Sequence, residues 1–418
     1  MRIFLASLKC ELEGKCGWHF LEQWRYNKSN EKSFGKGELV LRFLHLGDLH
    51  IGKSVNEIDL LEDQKVMLQK VLDLVTKRKI HAVLLAGDIY DRAVPSEAAV
   101  RVLDDFLTAL AEREVKVLAV SGNHDSDERL HFLSGILSAH GIYMQGCYRG
   151  GGCPCVSLED AYGMVNFYLL PYIKGAQVRS FFPEEEIKNY EDAIRVVLSH
   201  TEIKKGERNV ILSHQFVTCG GNLPELGGSE MPAVSLGTID NISASVYDDF
   251  DYVALGHIHK SQAMGRDTVR YSGSLLKYSL REWNQKKEFP IVEMKEKGNL
   301  SMEFAVLPPP HEMRHVKGTY AELMQGEPSE DYMYITLTDE DIIKDAMQLM
   351  RQIYPNAMKL DYDNSHTRGL SEELEDGGDC RSFEEIMRDF YRAVIGGEPT
   401  GEEWEILNEA ARKAGVMG

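Results

Sequence analysis

Between residues 41 and 125 the chain alternates short unbroken apolar runs with longer amphipathic stretches. LRFLHLGD leads into LLEDQKVMLQKVLDLVTKRK, where Leu60, Leu61, Met67, Leu68, Val71, Leu72 and Val75 recur close to helical period. HAVLLAGD (81–88) is apolar throughout, as in parallel strands covered on both faces. PSEAAVRVLDDFLTALAERE opens on Pro95-Ser96-Glu97, a helix entry, and sets Ala99, Leu103, Phe106, Leu107 and Leu110 on one face. KVLAVSGNHD (116–125) is the third strand, so the order is β-α-β-α-β and the class α/β.

Further strands are predicted at 165–172, 209–214 and 252–257, with a helix over 190–203. CGGNLPELGGSE (219–230) is a long polar loop of the kind that flanks sites. Strand-like segments with a hairpin at EKGN close the first domain near 309, where Pro308-Pro309-Pro310 marks a linker. HVKGTYAELM, YMYITLTD, a helix over Asp341–Ile353 and AMKLDYD predict a small β-β-α-β module. SEELEDGGD (371–379) is a polar linker, and 382–416 carries two short helical patterns.

The 43% hydrophobic and 27% charged content over 418 residues is that of a globular protein of two or three domains. No apolar stretch approaches the roughly 18–20 residues that span a bilayer. The opening MRIFLASLKC is too short in apolar residues for a secretory signal. The seven cysteines, at 10, 16, 147, 153, 155, 219 and 380, are odd in number and scattered, which predicts a reducing cytoplasm without a disulfide framework. Net charge is −19: residues 364–418 contribute −7, residues 1–40 contribute +2, and 41–363 carry −14. That balance gives no overall basic footprint for nucleic acid, although local basic patches still meet phosphates and some acids are neutralised if cations bind.

Five apolar runs end on potential metal ligands: Asp48/His50, Asp88, Asn123/His124, His214 and His257/His259. One histidine after one strand signifies little. Five such ends, at the carboxyl edge where open α/β sheets place their sites, point to a metal centre. Carboxylate oxygen and imidazole nitrogen without cysteine suit manganese, iron or zinc and disfavour a structural zinc site. Two cations roughly 3.5–4 Å apart, bridged by a carboxylate, clamp the attacking and leaving oxygens of a phosphate ester.

D-x-H, GD, GNH, H and GHxH in this order resemble the calcineurin-like metallophosphoesterase superfamily. FLHLGDLHIGK, HAVLLAGDIYDRAVPSEAAV, VSGNHDS, ALGHIHK and YSGSLLKYSLRE look like its SbcD subfamily, the nuclease subunits of bacterial double-strand-break repair. The resemblance covers about 41–363. It implies a metallophosphoesterase β-sandwich flanked by helices (41–309), a small α+β capping domain (311–363), a linker (364–381) and a helical partner-binding tail (382–418). By motif, Asp48, His50, Asp88 and His259 would hold one divalent ion, with manganese foremost. Asp88, Asn123, His214 and His257 would hold the other, and His124 would be the catalytic histidine. Asp91 and Asp125 are candidates to orient ligand histidines. Lys53, Arg92, His131, Ser272, Ser274, Lys277, Lys286 and Lys287 are candidates for phosphate contact.

The resemblance implies DNA exo- and endonuclease activity at ends and hairpins with an SbcC-like ATPase. The tail would dock that partner through Phe383, Ile386, Met387, Phe390, Tyr391, Val394 and Ile395. A homodimer within a heterotetramer would form through the 95–113 helix, with a second patch at Ala98 and Val102. Competing functions are a phosphomonoesterase or cyclic-nucleotide phosphodiesterase on the same metals, and a DNA-end-tethering scaffold. In the family the chain begins almost at the first strand, so residues 1–40 are expected to be a disordered extension or upstream sequence before a start near Leu39–Leu41.

Overall fold

The computed structural model describes residues 40–228, 241–365 and 398–413, with 234–235, 238–239, 387–388 and 391–392. The 1–39 segment, the linker and most of the tail's apolar positions lie outside the described residues.

Two six-stranded sheets form the body. The first contains β1 (Leu41–Leu46), β2 (Ala82–Ala86), β3 (Lys116–Val120) and β4 (Ile142–Gln145), all parallel neighbours in that order. The second contains β5 (Cys155–Asp160), β6 (Gly163–Leu170), β7 (Arg208–Ser213), β8 (Tyr252–Leu255), β9 (Gln262–Met264) and β10 (Arg266–Tyr271). Strands β6, β7, β8 and β10 run parallel there, with β5 and β9 antiparallel at the two edges. The chain then returns to the first sheet as the hairpin β11 (Phe289–Met294) and β12 (Leu300–Ala305), with β11 antiparallel to β1.

The unbroken apolar runs follow from this layering, because each central strand is covered on both faces. Along β1, Leu41 and Phe43 face the inter-sheet core while Leu44 and Leu46 face the helical layer. Between the sheets, the Phe43 ring meets Phe167 and Tyr252 edge-on at 5.6 and 5.5 Å. Helices α1 (Leu61–Arg78) and α2 (Glu97–Glu112) cover the first sheet, and α3 (Tyr190–Ser199) covers the second. Val102, expected to serve self-association, is buried among α2 residues facing that core, which leaves Ala98 exposed without it. At the end of the sandwich where β7 begins, Arg208 is buried and ties the sheets together. Its guanidinium donates to Asp160 of β5 and to the carbonyls of Met294 and Lys295 at the end of β11.

The 313–362 segment is a three-stranded parallel sheet, β13 (Met313–Gly318), β14 (Tyr332–Leu337) and β15 (Ala357–Tyr362), with its own apolar cluster. HVKGTYAELM does not continue as a strand. Thr319 and Glu322 form a capping box that starts a short helix at Tyr320. The helix expected over Asp341–Ile353 shortens to α4 (Ala346–Met350), because Asp345 has a left-handed backbone and α4 begins only after it. The module docks on the body through Met313, Tyr332 and Met358 and through the His311–Asp63 pair at 2.9 Å.

Candidate metal centre

Because β1, β2 and β3 run parallel, as do β7 and β8, their carboxyl ends gather at one end of the sandwich. At Gly256, after β8, the sheets approach closely: a Cβ there would lie 1.8 Å from the Ala86 carbonyl oxygen. A Cβ on Gly122 would lie 2.1 Å from Asp88 Oδ1, so the turn before Asn123 must also be bare. Four of the predicted residues have positive φ: Asp48 (51°), His50 (43°), Asp88 (47°) and His257 (99°). Side-chain-bearing residues adopt that region at a cost and only where surrounding bonds enforce it. Here the Asp48 amide donates to Gly87 O at 3.0 Å and the His50 amide to Asp88 O at 2.9 Å. The His257 amide donates to Asp48 Oδ1 at 2.9 Å, and the His124 amide to Asp88 Oδ1 at 2.8 Å.

The structure brings all seven predicted ligands together. His50 Nε2 faces His259 Nε2 at 3.1 Å and Asp88 Oδ2 at 3.6 Å. His214 Nε2 lies 3.4 Å from Asp88 Oδ2 and 3.1 Å from Asn123 Oδ1, which also sits 3.0 Å from His257 Nδ1. Asp48 groups both with His50 and His259 and with Asp88 and His214, so it stands nearer the middle than a one-sided ligand.

The donor set fits divalent cations. His259 Nδ1 faces Glu282 Oε1 at 3.1 Å, and His214 Nδ1 donates to the Ala86 carbonyl at 2.8 Å. As neutral imidazoles, the form that binds a cation, both present bare Nε2 lone pairs to other acceptors. Acceptors facing acceptors in a buried space are costly unless positive charge lies between them. Burial raises Asp48 to about 6, helped by Asp88 and opposed by His214 and His259. Burial likewise raises Asp125 to about 6, with the Asp88 charge adding to it. Burial lowers His214, but the charge and hydrogen bond of Asp88, the Asp48 charge and the Ala86 carbonyl together outweigh it and raise that imidazole to about 9, so a cation binding there displaces a proton from Nε2. Burial dominates at His257 and lowers it to about 3.

His124 lies at the rim of this cluster, grouped with His50 and Asp91. Its ring is exposed, and Nδ1 donates to the Asp91 carbonyl at 3.0 Å, which leaves Nε2 as the proton-exchanging atom. The Asp91 carboxylate lies 2.7 Å from Lys53 Nζ and 3.6 Å from His50 Nδ1. Asp125 accepts the amides of Ile89, Tyr90 and Gly122, which fixes the turn on which Asn123 and His124 sit.

Several expected phosphate contacts have other work. Ser272 and Ser274 are buried, and their hydroxyls donate to the Gly273 and Leu276 carbonyls. Lys287 donates to Glu282, Ser274, Gln285 and the His259 carbonyl, so it braces the carboxylate that holds His259. Lys277 joins Glu312 and the Met313 carbonyl of the capping module. Arg92 and Lys286 do stand exposed, and His131 is half-buried. Glu282 and Gln64 were not singled out from the sequence. Gln64 on α1 donates to the Leu49 and His50 carbonyls and so supports the strained turn from below. Glu282 lies within YSLRE, whose one acid offered a signal; Gln64 sits unmarked on an amphipathic helix.

The family model described as calcineurin-like phosphoesterase matches residues 41–261. A second, described as the type 5 capsule protein repressor C-terminal domain, matches 309–394. The chain is 29% identical over 327 residues to the SbcD subunit of the nuclease SbcCD from Staphylococcus epidermidis, covering 77% of this chain and 85% of that one. It is 29% identical over 370 residues to the same nuclease subunit from Staphylococcus saprophyticus, covering 85% and 94%. A dimetal phosphatase from Danio rerio is 14% identical with a TM-score of 0.35, over 64% of this chain and 96% of its own.

Proposed function

The chain belongs to the calcineurin-like phosphoesterase family, and from that membership we propose that it is the metal-dependent DNA nuclease subunit of an SbcCD-type complex. The observation that carries this reading is the reach of the similarity. It spans 94% of the Staphylococcus saprophyticus nuclease subunit and continues through the capping module, beyond the phosphoesterase core.

In this reading Asp48, His50, Asp88 and His259 hold one divalent ion and Asp88, Asn123, His214 and His257 the other, with manganese as the resident metal. Bound cations supply Lewis-acid polarisation of the phosphate and acidify a water. The chain's own groups do the rest. Glu282, braced by Lys287, and the Ala86 carbonyl fix the tautomers of His259 and His214 so that each Nε2 points inward. The Asp91 carbonyl fixes the His124 ring, whose Nε2 delivers a proton to the leaving oxygen of the phosphodiester. Arg92 and Lys286 offer exposed positive charge to neighbouring phosphates. The free thiols of Cys147, Cys153, Cys155 and Cys219 support a reducing cytoplasm, and no described helix is long and apolar enough to cross a membrane.

The test is hydrolysis of end-labelled duplex and hairpin DNA with manganese, with and without an SbcC-like ATPase and ATP, beside hydrolysis of a small aryl phosphate. Cleavage of DNA supports the reading. Hydrolysis of the aryl phosphate alone makes the protein a small-ester phosphatase.

Two partner surfaces belong to the proposal. Phe132, Leu133 and Ile136 are 70%, 49% and 63% exposed on consecutive turns after the His124 loop, and this patch replaces the α2 patch as the homodimer contact. Ile136→Glu is expected to weaken dimerisation about 30-fold or more, the scale of one interface hot spot. Sedimentation across a concentration series reads this, and an unchanged dimer would rule the patch out. Docking of the ATPase is assigned to 382–418. Charged substitutions at Phe390 and Ile395 are expected to abolish co-purification with the ATPase and ATP-stimulated cleavage while leaving manganese-dependent cleavage by the isolated subunit. Retained co-purification would remove the tail from the docking site.

A further inference from the structure

Glu282 and Trp283 are adjacent in sequence and point opposite ways. The turn Leu280–Glu282 buries the Glu282 carboxylate against His259, while the Trp283 indole is 40% exposed. An indole left this far in solvent forfeits much of the apolar burial that usually justifies the residue. What stands behind it is ordered. His315 of β13 meets the indole edge-on at 5.4 Å and stacks on Tyr334 of β14 at 4.4 Å with planes 17° apart. Lys359 Nζ of β15 lies 5.5 Å from the Tyr334 centroid. His315, Tyr334 and Lys359 are register partners across the three parallel strands, so they form one row on the outer face of the capping sheet. The row ends on Trp283, its body-side ring.

Cationic side chains stand on both elements that meet at this ring. Arg281 and Lys286 are exposed on either side of it in sequence, and Lys317 and Lys359 stand on the capping sheet. Lys286, Lys317 and Lys359 pair with Glu288, Asp363 and Asp361. The ammonium groups are exposed while their carboxylates are half-buried, and surface ion pairs contribute little, so each ammonium can also meet a phosphate from solvent. An aromatic ring flanked by cations is the arrangement that holds single-stranded nucleic acid, because every base offers a π face and the backbone meets the charges.

We infer that Trp283 is a stacking surface for an unpaired base of the strand whose phosphate lies at the metal centre. The inference rests on the nuclease reading and adds a selectivity to it. Bases inside a duplex keep both faces occupied, so unpaired ends and hairpin loops gain a contact that fully paired DNA does not. The cap contributes by fixing the ring through His315, and Glu282 ties the same turn to His259.

The experiment is titration of the full chain with a short oligothymidylate in EDTA, where no strand is cut, following tryptophan fluorescence and oligonucleotide anisotropy. Wild type is expected to show quenching on binding. Trp283→Ala is expected to lose most of the quench and to bind about 5- to 100-fold more weakly, the range of one lost base–aromatic stack. Trp283→Phe is expected to lose the quench yet bind within about threefold of wild type, since a phenyl ring still stacks. On manganese-dependent cleavage, the ratio of overhang to blunt duplex is expected to fall in Trp283→Ala. Equal binding, or an unchanged quench, in Trp283→Ala overturns the inference while leaving the nuclease reading intact. A wild type that hydrolyses an aryl phosphate but binds no oligonucleotide overturns both.

Discussion

Asp88→Ala is expected to abolish phosphodiester hydrolysis and to strip the centre of cations, whereas His124→Ala loses turnover alone. The Asp88 carboxylate is buried, its Oδ2 faces both His50 and His214, and its other oxygen accepts the His124 amide. Asp48 also groups with both sets, but both of its oxygens accept the His257 amide. Loss of Asp88 removes a shared ligand and one of the charges that make the pocket attractive to cations, so metal affinity should fall by at least about 100-fold. The His124 side chain meets the cluster through ring contact with His50, at a 4.9 Å centroid distance, its Nδ1 is committed to the Asp91 carbonyl, and the amide bond to Asp88 survives substitution. Removing a general acid of this kind costs about 10²–10⁴ in rate. Metal content after gel filtration, beside kcat on a labelled duplex, separates the two. Equal metal loss in both variants would refute the division of roles.

The second large effect lies in the backbone. Gly256→Ala places a methyl 1.8 Å from the Ala86 carbonyl oxygen and 2.8 Å from His214 Nδ1, the two atoms that bond to each other at 2.8 Å. Neither neighbour is the far end of a flexible side chain. The sheets must part at this end, or the His214 bond must break. Overpacking of this type costs about 1–3 kcal/mol, and a clash with backbone belongs at or above the upper end. The measurable outcome is a lower urea midpoint together with weakened manganese binding by calorimetry. A variant with wild-type stability and metal affinity would mean that the close approach of the sheets does not shape the centre.

That these seven residues would converge was legible because metal chemistry leaves narrow choices. Asp, His and Asn recur after apolar runs, and parallel strands bring their carboxyl ends together. The central strands were legible for the related reason that burial on both faces makes them apolar throughout. What escaped is what local pattern does not encode. CVSLED and IYMQ are half-exposed edge strands, the first paired with the hairpin strand β6 and the second with β3, so neither carries an unbroken apolar run. The capping helix shortened because of one left-handed aspartate, a tertiary outcome that periodicity over 341–353 does not carry. Val102 read as spare surface until α1 was seen packed beside α2. Ser272, Ser274 and Lys287 read as phosphate contacts because they lie in family-like segments, whereas the fold gave them internal partners. Glu282 shows the converse. Nothing in a lone glutamate announces that it will be fully buried against a histidine and a lysine.

The most direct measurement is anomalous diffraction at the manganese edge from crystals of the full chain grown with manganese. Two peaks roughly 3.5–4 Å apart are expected, with Asp88 in contact with both. His50 and His259 should lie beside one, with Asn123, His214 and His257 beside the other, and His124 should touch neither. A single peak, or two peaks that do not share Asp88, would contradict this arrangement.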